Sequence, residues 1–339
     1  MKLLPLFIFW CLWFFNFSTR TSFSPLLPLI EDSLHLSHGA AGGLFTSYGM
    51  GYALALLLIG RFVSFFGYKR TVVFGYVGLG LVLLCFQWAE SYFSLHLLFF
   101  LLALSAGTYI PSILSILTET YDSRHWGKAI GIHDSAASLA IFSMPILVTI
   151  GLHFFPWRRL LLFLGFACLI LPFFFWRVSR EPRQDLSKER VRYMDIFRRR
   201  TTWIMSLFWM VSAAANLGVY SILPLYLIKE RGMDFALANT LFGISRVCGL
   251  FVAILTGFLT DRYGYRRMIK WSIVTTGLST VGLALSSSLP AILTSLILQA
   301  TLSLAFFPVG LAAVSKLTPL SERSLAIGVI AAIGGGFGS

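Results

Sequence analysis

The chain has 339 residues, 57% of them hydrophobic and only 12% charged, with a mean hydropathy of +0.80. A soluble domain of this length needs more polar surface, and long unbroken apolar runs exclude a barrel of alternating strands, so a polytopic helical membrane protein is expected. The net charge of +13 does not point to nucleic acid, because nearly all of it falls in the loops between apolar runs.

Eleven apolar segments are predicted, and most reach the length of about 20 residues that crosses a bilayer. The first covers Leu3–Leu29 and carries Arg20. Its length, and the lack of a small-residue cleavage site, favour a retained helix over a signal peptide. Segments two to six are expected at Gly39–Val63, Thr71–Trp88, Tyr92–Leu117, Lys128–Phe154 and Trp157–Val178. A basic, polar stretch then divides the chain. The expected organisation is therefore a six-helix bundle over 1–178, a cytoplasmic linker over 179–200 and an incomplete bundle over 201–339. Segments seven to ten follow at Thr202–Ile228, Phe235–Thr260, Met268–Ser287 and Pro290–Ser315. The eleventh starts near Arg323 and reaches Ser339 before it could finish a crossing.

With the N-terminus inside, twenty-one Lys and Arg fall on the inner side and four on the outer side. That asymmetry predicts a cytoplasmic N-terminus in a plasma membrane, of the bacterial inner-membrane type. Cys11, Cys85, Cys168 and Cys248 are scattered through apolar segments and suggest neither a metal site nor a disulfide framework.

The two halves repeat at an offset of 197 residues. Gly60 matches Gly257, Gly67-Tyr68 matches Gly264-Tyr265, and Arg70 matches Arg267. Further on, Pro111 matches Pro308, and Ala129-Ile-Gly131 matches Ala326-Ile-Gly328. Two parallel repeats of six helices are the architecture of a rocking transporter. Segment six ends near Val178, so its counterpart is expected near position 375, and the chain reads as truncated at its C-terminus.

The stretch Gly257, Asp261, Arg262, Gly264, Arg266 and Arg267 resembles in full the signature turn of the major facilitator superfamily. The first-half copy keeps Gly60, Gly67, Lys69 and Arg70, but has Ser64 for the acid and Phe65 for the arginine. The resemblance covers essentially the whole chain. It implies an all-α fold of two six-helix bundles and transport by alternating access, without a cofactor. It also implies that Asp261 approaches the start of helix five near Lys128. Ser64 faces the equivalent place near Arg323 without a charge, which predicts a lopsided cytoplasmic gate. Some anion-carrying branches of the family place arginines on helices one and seven, and the nitrate/nitrite porters on helices two and eight. Here the repeat counterpart of Arg20 is Leu217 and that of Arg246 is Gly49, so each pair has one member. Ser143-Met-Pro145 departs from the Gly-Pro motif of the drug–proton antiporters.

Ionisable groups within a bilayer are costly, and each is a candidate functional group. Arg20, Arg246 and Asp134 stand out, Asp134 about 9 Å from the cytoplasmic start of its helix at 1.5 Å per residue. Arginine stays charged and binds carboxylate or phosphate in a bidentate fork, so Arg20 and Arg246 are candidate anion-binding groups. Asp134 admits three readings: a gate paired with Arg246, a proton carrier beside His133, or a local acid at a helix start. Asn216, Gln299, Tyr48 and Tyr52 are either substrate contacts or ordinary interhelix hydrogen bonds. Tyr109-Ile-Pro111 and Phe307-Pro308 are expected bends. No nucleophile–base set, metal cluster or phosphate-binding loop occurs, so neither an enzyme nor an ATP-driven pump is expected. The expected partners are the lipid bilayer, a small solute with anions favoured, and a proton or other coupling ion, for a monomer that binds no nucleic acid. Proton-coupled efflux of amphipathic compounds is the alternative, followed by a shortened relative that senses or no longer transports.

Overall fold

The computed structural model describes residues 3–122, 125–182, 193–318 and 323–338. Lys2, Arg124 and most of the basic linker lie outside the described residues, as do the side chains of Lys128, Asp261 and Arg323 and the surroundings of Gly257. All regular structure among the described residues is helical. Eight stretches are long and apolar enough to cross a membrane, and Phe235–Ile244 and Leu325–Gly336 are shorter apolar helices. The chain divides into two compact units, Met1–Ser187 and Lys188–Ser339.

The first unit holds α1 (Leu3–Thr21), α2 (Phe23–Leu34), α3 (His38–Cys85), α4 (Tyr92–Ala106), α5 (Tyr109–Thr120), α6 (Trp126–Leu152) and α7 (Trp157–Val178). The element α3 is two crossings joined by a turn at Gly67, whose φ of 79° is open to glycine and strained for other residues. α3 packs along α4 and α7, and α1 packs along α6. A Cβ on Gly51 would overlap the carbonyl oxygen of Phe100, so glycine is what lets α3 and α4 touch backbone to backbone. Phe23, Phe86 and Phe99 form an aromatic cluster in the unit, their rings 4.6 to 5.8 Å apart between centroids.

The second unit holds α8 (Tyr193–Phe197), α9 (Arg200–Ala213), α10 (Val219–Leu225), α11 (Phe235–Ile244), α12 (Gly249–Tyr263), α13 (Tyr265–Leu285), α14 (Leu289–Ser303), α15 (Phe306–Leu317) and α16 (Arg323–Gly338). Its core joins Met205, Phe306, Val309, Val329 and Ile330, with Ile196 from the short α8 buried among them. α9 continues into α10 through a wide turn at Ala214–Gly218. The α12–α13 turn places Gly264 at φ 82°, ψ 148°, close to the 79° and 167° of Gly67.

The expected bends are present and obey the repeat. α4 gives way to α5 at Gly107-Thr108, and α14 gives way to α15 at Leu304-Ala305, again 197 residues apart. Pro111 and Pro308 each lie a few residues into the second helix, where their missing N–H would fall in the break. The break between α11 and α12 has no counterpart. α11 ends at Ile244 and α12 starts at Gly249, whereas the equivalent stretch Tyr48–Gly51 is continuous helix in α3.

Candidate functional site

The unmatched break holds Arg246. Its backbone is wound tightly, with Arg246 N–H donating to Gly243 O at 3.1 Å and Gly249 N–H to Arg246 O at 3.2 Å. The guanidinium lies 4.9 Å over the Tyr220 ring and 5.5 Å over Phe242, and the residue is only 7% exposed. Its Nε and one terminal nitrogen are buried without a hydrogen-bond partner. A buried cation with idle donors costs several kcal/mol in general. Nearby on the chain, Asn216 lies in the wide turn one helical turn before Tyr220. Asn216 Nδ2 donates to Ser303 Oγ at 2.8 Å, and Gln299 Nε2 donates to Ala215 O at 2.6 Å. These two bonds dock the turn on α14, and Gln299 Oε1 remains buried without a partner.

Arg20 stands at the end of α1 with its guanidinium 5.0 Å over the Tyr48 ring. Tyr48 is buried, and Tyr52 stacks beside it at 6.5 Å. Each unit thus holds an arginine over a tyrosine. Their places are exchanged: the arginine is on α1 and the tyrosine on α3 in the first unit, and the tyrosine is on α10 and the arginine after α11 in the second. Sequence reasoning found both arginines and Tyr48. It missed Tyr220, which carries no signal among many apolar aromatics, and Asn16, whose Nδ2 donates to Ala106 O at 3.3 Å from a buried position on α1.

His133 is fully buried on α6, while the side chain of its neighbour Asp134 is 59% exposed. The sequence marked Asp134 as the group in low dielectric, but burial falls on His133, because adjacent helical residues point about 100° apart. His133 Nδ1 lies 3.1 Å from Asp134 Oδ1, and Nε2 lies 3.0 Å from the Tyr109 hydroxyl. The imidazole is stacked 5.7 Å from Trp13, nearly parallel to it. Tyr109 also donates to the Phe9 carbonyl at 2.9 Å. The latch expected between Asp134 and Arg246 pairs residues of different units. Within its own unit Asp134 meets His133, and Arg246 meets Tyr220 and Phe242.

At the first signature turn, Ser64 Oγ donates to Arg61 O at 2.8 Å, within its own helix. The acid at this turn comes from the linker. Glu181 accepts from Tyr68 N–H at 2.6 Å and Lys69 N–H at 2.9 Å, capping the helix that starts after Gly67. Lys69 returns a bond from Nζ to Ser179 O at 3.0 Å and rests 4.2 Å over Trp176. The sequence showed Glu181 only as part of Arg180-Glu-Pro-Arg183. Gly60 and Arg70 complete this turn, and the exposed Arg262, Arg266 and Arg267 surround the second.

An all-helical chain with duplicated breaks, duplicated positive-φ turns and intramembrane arginines defines a polytopic transporter class. Its sequence matches the Major Facilitator Superfamily over residues 9–339, and the chain belongs to that family. It is 26% identical to the probable sulfoacetate transporter SauU of Cupriavidus necator, over 80% of this chain and 68% of that protein. It is 22% identical to the probable galactarate/D-glucarate transporter GudP of Escherichia coli, over 73% of this chain and 63% of that protein. The chain thus spans about two thirds of the length of these relatives. The fold is also that of a bacterial homologue of the human lysosomal transporter Spinster, solved inward-facing and occupied. The TM-score is 0.81 at 18% identity, covering 98% of this chain and 79% of that one.

Proposed function

We propose that this protein moves a small organic anion across a bacterial inner membrane by alternating access, with Arg246 holding the acid group. The observation that carries this is the buried guanidinium of Arg246, which has two donors without a partner. Two relatives whose names specify transport of anions, one a sulfonated carboxylate and one a sugar diacid, support the same class. Tyr220 backs the Arg246 guanidinium through its face and leaves the planar edge, where the unpartnered N–H groups lie, for a bidentate partner. Asn216 and Gln299 of the same unit are the polar groups that recognise the rest of the solute. The N-terminus is cytoplasmic, and the working form is a monomer.

Counterflow in proteoliposomes tests this. Vesicles loaded with unlabelled sulfoacetate or glucarate are expected to concentrate the labelled anion, and Arg246→Gln vesicles are expected to lose that uptake. Accumulation of lipophilic cations instead, unaffected by Arg246→Gln, would establish efflux of amphipathic compounds. Binding of the anion without exchange would establish a sensor.

A further inference from the structure

The Arg246 guanidinium is not alone in the second unit in having idle hydrogen-bonding capacity. Asn239 and Gln299 are fully buried, and in each amide the oxygen has no partner among the described residues. Asn239 Nδ2 donates to Phe235 O at 3.1 Å, and Gln299 Nε2 donates to Ala215 O at 2.6 Å. A backbone carbonyl only accepts, so nitrogen is the bonded end of each amide and oxygen the idle end. What is unmet at the arginine is therefore donors, and what is unmet at the two amides is acceptors. Asn239 precedes Phe242 by one turn of α11, and Phe242 lies 5.5 Å from the guanidinium. Gln299 holds the wide turn that precedes Tyr220, whose ring lies 4.9 Å from the guanidinium and 4.6 Å from Phe242. Each acceptor is thus anchored about one turn from a ring on which the cation rests. The donors and acceptors are complementary, yet they do not bond one another. Ser212 Oγ is also buried and idle, but a hydroxyl can donate or accept and does not discriminate between solutes.

We propose that the solute is a hydroxylated carboxylate, with its acid group on Arg246 and its hydroxyls donating to Asn239 Oδ1 and Gln299 Oε1. This deepens the anion reading and rests on it. A carboxylate without hydroxyls would meet Arg246 and leave both amide oxygens buried and unmet. Sites that bond a substrate hydroxyl reject the analogue lacking it for that reason. A hydroxyl donates without adding charge, whereas an ammonium group would be repelled by the guanidinium, most strongly where the dielectric is low. Asn239 is the specificity-determining residue that can be tested alone. Its bond to Phe235 O stays within α11, so it ties no two helices together. Gln299 also docks the wide turn on α14, so its loss would mix recognition with packing.

The test uses the full chain in proteoliposomes and matched pairs of acids, glucarate with adipate and tartrate with succinate. Within each pair the carbon chain and the carboxylates are the same, and only the hydroxyls differ. Each acid is followed as the labelled solute in counterflow. In at least one pair the hydroxylated member is expected to half-saturate at a concentration about 100-fold lower than its partner. In Asn239→Leu that ratio is expected to fall about tenfold, through weaker handling of the hydroxylated acid with the plain acid unchanged. Unchanged handling of the plain acid also shows that the variant folds. Thermal unfolding of the purified parent chain in detergent gives a reading free of any variant. The hydroxylated acid is expected to raise the midpoint at concentrations at which the plain acid does not. Equal handling within both pairs, or a ratio that Asn239→Leu leaves unchanged, overturns the hydroxyl assignment and leaves the anion reading standing. Indifference to all of these acids and to sulfoacetate overturns the anion reading, and the hydroxyl assignment falls with it.

Discussion

The two halves hold the same arginine–tyrosine contact in different backbone settings. In the first, Tyr48 sits on an unbroken helix that glycine residues press against α4, and its arginine comes from the neighbouring α1. In the second, the equivalent helix opens between Ile244 and Gly249, and Arg246 occupies the opening under Tyr220. An arginine inside a continuous, tightly packed helix would have no room at a backbone-to-backbone contact of the kind Gly51 makes. Breaking the helix provides that room and buries the cation more deeply than Arg20, which is only half-buried. Equivalent chemistry is thus reached by unequal backbones, and the more buried arginine should matter more.

The largest expected effect follows directly. Hydrogen bonds to charged groups contribute about 1.5–3 kcal/mol each, so Arg246→Gln is expected to raise the half-saturating anion concentration about 10- to 100-fold. Arg20→Gln is expected to raise it by about fivefold, equivalent to about 1 kcal/mol. Equal losses measured by uptake kinetics would erase the asymmetry. The signature turns give the next contrast. Both Gly67 and Gly264 need positive φ, which costs about 1–2 kcal/mol for other residues. A Cβ on Gly67 would also lie 2.7 Å from Glu181 Oε1, whereas one on Gly264 meets nothing within 4 Å. Gly67→Ala is therefore expected to destabilise by about 2 kcal/mol and Gly264→Ala by about 1 kcal/mol, read as thermal unfolding in detergent. Glu181→Gln keeps an oxygen for one amide but removes the charge, and a loss of about 1 kcal/mol is expected by the same measurement. Ser64→Asp is expected to be the mildest, within about 0.5 kcal/mol, because the exposed hydroxyl bonds only its own helix. A clear gain from that change would show that the first turn lacks an acid after all.

What could be foreseen from the chain were the features that local chemistry dictates. Glycine at 67 and 264 announces a turn, proline at 111 and 308 announces a bend, and both kinds recur at a constant offset. Arg20, Arg246 and Asp134 stand out because charge is rare in these segments. The contacts of the two arginines were not legible, because Tyr48 and Tyr220 reach them across helix interfaces that periodicity alone does not register. The burial of His133 beside an exposed Asp134 was hidden for a related reason, since the order of two adjacent residues does not say which face of α6 turns inward. Glu181 belongs to a stretch that read as solvated linker, and only its distance to the Tyr68 and Lys69 amides reveals it as a cap.

The paired breaks at Gly107-Thr108 and Leu304-Ala305 also carry a chronology. A feature held by both copies at one offset is most simply inherited from the single six-helix ancestor that was duplicated. The bend in the fourth crossing and the glycine turn after the second then belong to that ancestor. The opening at Arg246 and the histidine of α6 are each found in one copy, at positions where the other copy has Gly49 and Ile330. By the same logic the shared bends and turns are older than the opening at Arg246 and the buried histidine of α6.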